Sequence, residues 1–157
     1  MLAAYVHSIF SSPVDATVNI ALNKPAAIST QHNPNSGALN AVDGNRGETR
    51  CVITLNANRE WLRIDLQNTA QVQKVGVKNR IGGFNRLGHF HITVGDSPED
   101  GGRTNPYCVE SVIFTAAGQF LLFHCSTLIP GRYVALFKPA IGFLEICEVE
   151  VYGFFDY

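Results

Sequence analysis

Short apolar runs, many of period two and set apart by turn residues, fill the chain from residue 61 to residue 152. They are Trp61 to Leu66, Val72 to Val77, His89 to Val94, Val109 to Phe114, Phe120 to His124, Tyr133 to Phe137 and Cys147 to Tyr152, with Gly, Pro, Asn or Asp between them. Successive side chains of a strand point to opposite faces, so such runs bury one face and show the other to water. An amphipathic helix needs apolar residues three and four apart, and only Leu39 to Val42 offers a turn of that kind. Evenly spaced short strands in a chain of 157 residues predict one all-β domain, a sandwich or jelly roll. The low charge content (16%) and the many Val, Ile, Thr and Phe residues agree.

The net charge of −1 gives no global basic field to attract nucleic acid. The charges are nevertheless unevenly placed. From Arg46 to Arg86 there are eight Lys or Arg and three acids, whereas from Asp96 onward there are eight acids and three bases. One region is therefore expected to be cationic unless the fold interleaves the two stretches. No stretch approaches the ~18 apolar residues that a membrane-spanning helix needs, and no Asn-x-Ser/Thr acceptor occurs. Residues 1–18 read as an N-terminal extension. Met1 to Phe10 is mildly apolar, has no basic residue ahead of it and contains His7, which makes it a poor secretory signal. The domain is expected over residues 19–153, with a tail at 154–157. Tyr5, Phe10, Phe154, Phe155 and Tyr157 make both ends aromatic, which leaves self-association open.

Four cysteines without a C-x-x-C spacing argue against zinc or thioredoxin-like chemistry and allow three disulfide pairings. Cys108 with Cys125 closes a short loop that reads as a hairpin, and Cys51 with Cys147 would then tie the middle of the chain to its end. Bonds of that kind imply an oxidising compartment and a secreted protein. The Asn40-Ala41-Val42-Asp43-Gly44-Asn45-Arg46 segment is a tight, oxygen-rich turn just ahead of Cys51, and Glu148 directly follows Cys147. If Cys51 bonds to Cys147, oxygens of Asn40, Asp43, Asn45 and Glu148 converge on one small volume. Several carbonyl and carboxylate oxygens on a short, glycine-permitted turn are what a hard cation such as Ca²⁺ requires.

Seven segments in order resemble the F-type lectins (fucolectins), a branch of the discoidin or coagulation-factor C-type superfamily. They are Asn19 to Ala26, Asn40 to Arg46, Trp61 to Leu66, Val77 to Arg80, Ile92 to Gly95, Pro130 to Val134 and Cys147 to Val151, so the match runs from about residue 19 to 153. The resemblance implies an eight-stranded β-sandwich jelly roll with its ligand site among loops at one end. It implies Ca²⁺ bound by Asn40, Asp43, Asn45, Arg50, Cys147 and Glu148, several of them through backbone carbonyls. It also implies the pairs Cys51–Cys147 and Cys108–Cys125. Arg50 stands where a serine is common, which lowers the expected affinity for the ion.

Members of that family hold fucose with one His and two Arg. A guanidinium is a rigid fork that grips two vicinal hydroxyls. Arg80 and Arg86 match the two arginines, while the family histidine falls on Ile53. His32, in an early loop, is the candidate replacement imidazole. The family's adjacent double cysteine is absent, and Gly82-Gly83-Phe84 takes its loop, with Phe84 as candidate apolar platform. With Ile53 as an apolar wall, neutral monosaccharides are expected to bind weakly, and acidic or sulfated glycans to gain from Arg50 and Arg59 nearby.

Other constellations carry less. His89 and His91 share a strand face at a spacing that suits a transition metal, without a third ligand. Trp61 is expected in the core, and Arg63 and Asp65 are placed to pair across one face. No Gly-x-Ser-x-Gly, His-Glu-x-x-His or phosphate loop occurs, so the chain reads as a binding protein and not an enzyme. The alternative to a glycan partner is a sugar-silent scaffold that binds protein or anionic membrane. Its contacts would be Ile53, Leu55, Phe84 and Leu87 beside Arg50, Arg59 and Arg86.

Overall fold

The computed structural model describes residues 14–82, 86–113 and 116–156. The fold is all-β, as the alternating runs require. Nine strands are described: β1 (Ala26–Ile28), β2 (Val52–Ile53), β3 (Ala57–Asn58), β4 (Trp61–Asn79), β5 (His89–Gly95), β6 (Tyr107–Ile113), β7 (Phe120–Phe137), β8 (Ile141–Gly142) and β9 (Glu145–Phe155). The main sheet runs β2-β9-β4-β7-β5-β6, with β1 against the first part of β4. Every pairing is antiparallel, and β3 and β8 form a separate two-stranded ribbon.

Four of the predicted runs merge into two strands. Trp61–Leu66 and Val72–Val77 are the two parts of β4, and Phe120–His124 and Tyr133–Phe137 lie within β7. Bulges allow this. Along β4 the buried side chains are Leu62, Ile64, Leu66, Ala70 and Val72, then Val75 and Val77. The parity changes where the register slips between Val72 and Lys74. An extra residue bends a strand and moves its next side chains to the other face, so one long strand serves a curled sheet. Leu39–Val42 yields a single 3-10 turn at Ala38–Ala41.

The core gathers Phe90, Leu62, Ile64, Leu66, Ile92, Leu136 and Ile146, all fully buried. Each such side chain contributes roughly 1.5–3 kcal/mol by leaving water. Trp61 is only half-buried, and its ring lies beneath the turn at Gly101. Gly101 has φ +66°, and a Cβ there would run into the indole. Gly101→Ala therefore combines left-handed strain with a clash and should cost about 2–3 kcal/mol. Urea unfolding with an unchanged slope and a lowered midpoint is the expected reading.

The ends join the domain. Ala16 is buried, its N–H donates to Gln73 Oε1 (2.8 Å), and Lys74 pairs with Asp15 (2.6 Å). Residues 154 and 155 continue β9, where Phe155 faces Ala70 across the sheet. Packing thus extends beyond the 19–153 span at both sides. Tyr5, Phe10 and Tyr157 lie outside the described residues. Arg63 and Asp65 do not form the expected pair. Arg132 takes both Asp65 oxygens (2.7 and 2.9 Å) and holds this carboxyl below its usual range, while Arg63 donates to the Pro98 carbonyl. His91 Nδ1 accepts the Ser111 N–H, and the ring packs against Tyr107 and Phe137, so His91 serves packing. No helix among the described residues is long and apolar enough to cross a membrane.

Candidate functional site

Strand β9 organises the site, and a bulge at its start decides how. Lys78 pairs with Glu148 and the next β4 residue, Asn79, pairs with Ile146, so Cys147 is the extra residue on β9. Before the bulge Ile146 enters the core; after it, Val149 and Val151 do. The phase change puts Glu145, Glu148 and Glu150 on one face, and all three are buried. Each carboxylate meets its own partner there.

Glu150 grips Arg46 with two bonds of 2.7 Å and also accepts the Tyr152 hydroxyl. That guanidinium stacks 3.7 Å above the Phe120 ring centroid. Glu145 pairs with both Arg80 (3.4 Å) and Arg86 through the same oxygen. Glu148 Oε1 accepts the Gly44 N–H (3.0 Å), while its Oε2 is buried with no hydrogen-bond partner.

The turn facing Glu148 is built by local bonds. Asp43 Oδ1 accepts the Asn45 N–H (2.9 Å) and Asn45 Oδ1 accepts the Gly47 N–H (2.7 Å). Gly44 supplies the left-handed residue at φ +78°. The Asn40 amide donates to the Asn35 and Cys51 carbonyls (2.7 and 3.3 Å). Burial, reinforced by the Asp43 carboxylate, pushes the Glu148 carboxyl up to about 8. A buried, partly unpaired carboxylate beside a second one is costly unless a cation stands between them. The donor set is all oxygen, so the residues present fit a hard divalent ion such as Ca²⁺. Arg50 lies exposed with Asn40 and Leu39 at the edge of a 520 Å³ cavity.

Both disulfides form as the resemblance implies, Cys51–Cys147 and Cys108–Cys125. The first closes a separation of 96 residues and fastens the end of the oxygen-rich turn to the bulge. Replacing Cys51 and Cys147 together by Ala should lower stability by roughly 3–5 kcal/mol in the chain-entropy view. A calorimetric melting point lower by about 10 °C is the expected result.

The sugar-site candidates meet at the same end. Arg80 directly follows β4, and its backbone carbonyl accepts the Gly118 N–H (3.2 Å). Ile53, Arg80, Asn33, Ser36 and Glu48 line a cavity of about 290 Å³. The His32 N–H donates to the Ile53 carbonyl (2.9 Å), so this loop is fastened beside the residue that occupies the family histidine's place. The His32 ring stands edge-on to Phe143 at 6.4 Å, and the Arg86 guanidinium lies 4.2 Å above the same ring. His32, Phe143, Arg86, Glu145 and Arg80 thus form one continuous chain of contacts. The Lys138 ammonium, its pKa lowered by burial, donates to the Leu87 carbonyl and fixes the loop just after Arg86. Phe84 lies outside the described residues. Glu145 and Phe143 were not singled out from sequence; only the β9 bulge reveals the first.

The fold interleaves the basic and acidic stretches at several points. Arg46, Arg80 and Arg86 from the basic stretch are answered by Glu150 and Glu145 from the acidic one. Arg59 turns to Asp100 at 4.0 Å. Leu87 is fully buried and Ile53 half-buried, so neither is an exposed spike for a membrane. Leu55 is 46% exposed.

Residues 40–136 match the family model of the NedA-like, galactose-binding domain. Fucolectin-4 of Anguilla japonica is 38% identical over 143 residues, covering 85% of this chain and 78% of that protein. The chain belongs to the fucolectin, or F-type lectin, family. A fucolectin structure from the serum of striped bass, Morone saxatilis, superposes with a TM-score of 0.83 at 34% identity, over 90% of this chain and 50% of that one. The lectin domain of lectinolysin, complexed with Lewis b antigen, gives 0.68 at 28% identity, over 87% and 96%. The chain spans half of the striped bass fucolectin and 61% of a further eel fucolectin. These relatives are lectins, in line with a binding protein rather than an enzyme, and the fold among them is the expected jelly roll.

Proposed function

We propose that this fucolectin binds neutral, fucose-bearing glycans through Arg80, Arg86 and His32, and is secreted with a Ca²⁺ ion beside that site. The observation that carries the reading is the pair of guanidiniums held on one buried carboxylate, with Arg80 lining a 290 Å³ cavity. Vicinal ring hydroxyls each donate and accept, and two fixed forks can bridge them without conformational search. His32 supplies an imidazole from a neighbouring loop where the strand itself carries Ile53. The Ile53 side chain offers an apolar wall, and fucose, a 6-deoxy sugar, has a methyl group to place there. The Lewis b complex of a related lectin domain supports a fucosylated ligand.

Asn40, Asp43, Asn45, Arg50, Cys147 and Glu148 would hold the ion, Arg50 and Cys147 through backbone carbonyls. The ion would supply two positive charges to a carboxylate pair and hold the turn in place. From that turn Glu48 reaches the sugar side, where its carboxylate accepts the Ile81 N–H (2.6 Å) and pairs with Lys78 (3.1 Å). Two secured disulfides support an extracellular location. A glycan array probed with calcium and again with chelator tests the reading. Fucosylated structures should dominate with calcium and fade without it; a blank array, or one dominated by unfucosylated glycans, would contradict it.

A further inference from the structure

We infer that Glu145 sets the charge selectivity of the sugar site: it positions both arginines and cancels one of their charges, so that the site takes neutral rather than sulfated glycans. The inference rests on the glycan-binding reading above and goes beyond it. Glu145 is 1% exposed, whereas the side chains of Arg80 and Arg86 remain 34% and 37% exposed. The carboxylate is therefore the hidden member of the trio, and the guanidiniums are the members a ligand meets. Both bind the same oxygen, Oε1, so a single atom fixes the spacing between the two forks.

Two guanidiniums held side by side repel, and something must carry a compensating negative charge. In a site for sulfate or uronate the ligand brings it. Here the chain brings its own, and places it where the buried surroundings screen it least. An anion that approached Arg80 and Arg86 would face one net positive charge and a carboxylate behind it. A neutral polyol meets no such opposition, and the N–H groups not occupied by Glu145 stay available to its hydroxyls. Phe143 lies beneath Arg86. The backbone supports the same placement, since Glu145 pairs across β9 and β2 with Ile53, which lines the cavity.

The test compares wild type with Glu145→Gln and Glu145→Asp, each titrated with L-fucose, with fucose sulfate and with inorganic sulfate at low and high salt. The amide keeps size and one acceptor but removes the charge; Asp keeps the charge but shortens the reach. Glu145→Gln should lose fucose affinity about tenfold, as bonds that orient a charged group are lost. It should gain about tenfold for both sulfates, with binding that weakens as salt screens the charges. Glu145→Asp should lose fucose affinity and stay indifferent to sulfate. A purely structural role would depress every ligand alike, and that outcome overturns the inference, as does fucose affinity unchanged in both variants. If wild type ignores fucose, the glycan reading fails by itself, and the sulfate arms still decide: a gain confined to Glu145→Gln upholds the charge role, and no gain refutes it.

Discussion

Calcium added to the chelated protein is expected to raise its melting temperature, and the gain should grow as pH rises from about 5 to about 8. Glu148 is the group responsible. Its carboxyl is pushed up to about 8, first by burial and then by Asp43, from an ordinary value of 4.5. Between those two values the ion-free folded chain holds a proton that the unfolded chain has released. Stability rises with pH only where the unfolded state binds more protons. Here the folded state binds more, so ion-free stability falls across the window. Calcium replaces that proton and reverses the penalty, and its advantage is largest where the carboxylate would otherwise be bare. A ligand that binds only the folded state at about 100 times its dissociation constant adds about 2.7 kcal/mol, or roughly 5–10 °C in a domain of this size. Glu148→Gln keeps an acceptor for the Gly44 N–H and has no charge to bury. That variant should be more stable than ion-free wild type at pH 8, flat across the window, and indifferent to calcium. Melting curves for both proteins with chelator and with calcium check it. A wild type that ignores calcium at pH 8 would remove the ion from the account.

Arg80→Ala and Arg86→Ala should each reduce fucose affinity by ten- to a hundredfold. A hydrogen bond to a charged group is worth about 1.5–3 kcal/mol, and every 1.4 kcal/mol is tenfold in affinity. The two losses should not add, because both side chains are held by one carboxylate. Removing either also leaves Glu145 with a single partner, so each variant should lose a little stability. His32→Ala should cost less, about threefold to tenfold, since its exposed loop is fixed through the backbone bond to Ile53. Calorimetric titration of the three variants and the Arg80/Arg86 double variant gives all four numbers. Affinity unchanged in the double variant would place the sugar elsewhere.

The parts of this molecule that sequence exposes are those set by local chemistry. Alternating runs announced strands, Asp43-Gly44-Asn45 announced a turn, and the family resemblance carried both disulfides. Strand length was not visible, because β4 and β7 continue through bulges where the apolar parity changes. Glu145 stayed hidden for the same reason. By simple alternation it lies opposite Glu148, and only the extra residue at Cys147 brings them to one face. The interleaving of charge was equally out of reach. Arg46 and Glu150 are 104 positions apart and Arg80 and Glu145 are 65, so their pairing depends on β9 lying beside β4. The expectation that acidic or sulfated glycans gain here rested on Ile53 in place of the family histidine and on Arg50 and Arg59 near Arg80 and Arg86. The buried Glu145 that pairs with Arg80 and Arg86 was not visible from sequence.

Titration of L-fucose followed by the Nε–Hε resonances of the arginines, with calcium present, tests the central claim most directly. The account predicts that Arg80 and Arg86 shift together and saturate along one curve, with the His32 ring following, while Arg63 and Arg132 on the far part of the sheet stay fixed. Stationary signals from Arg80 and Arg86 at saturating fucose would contradict it.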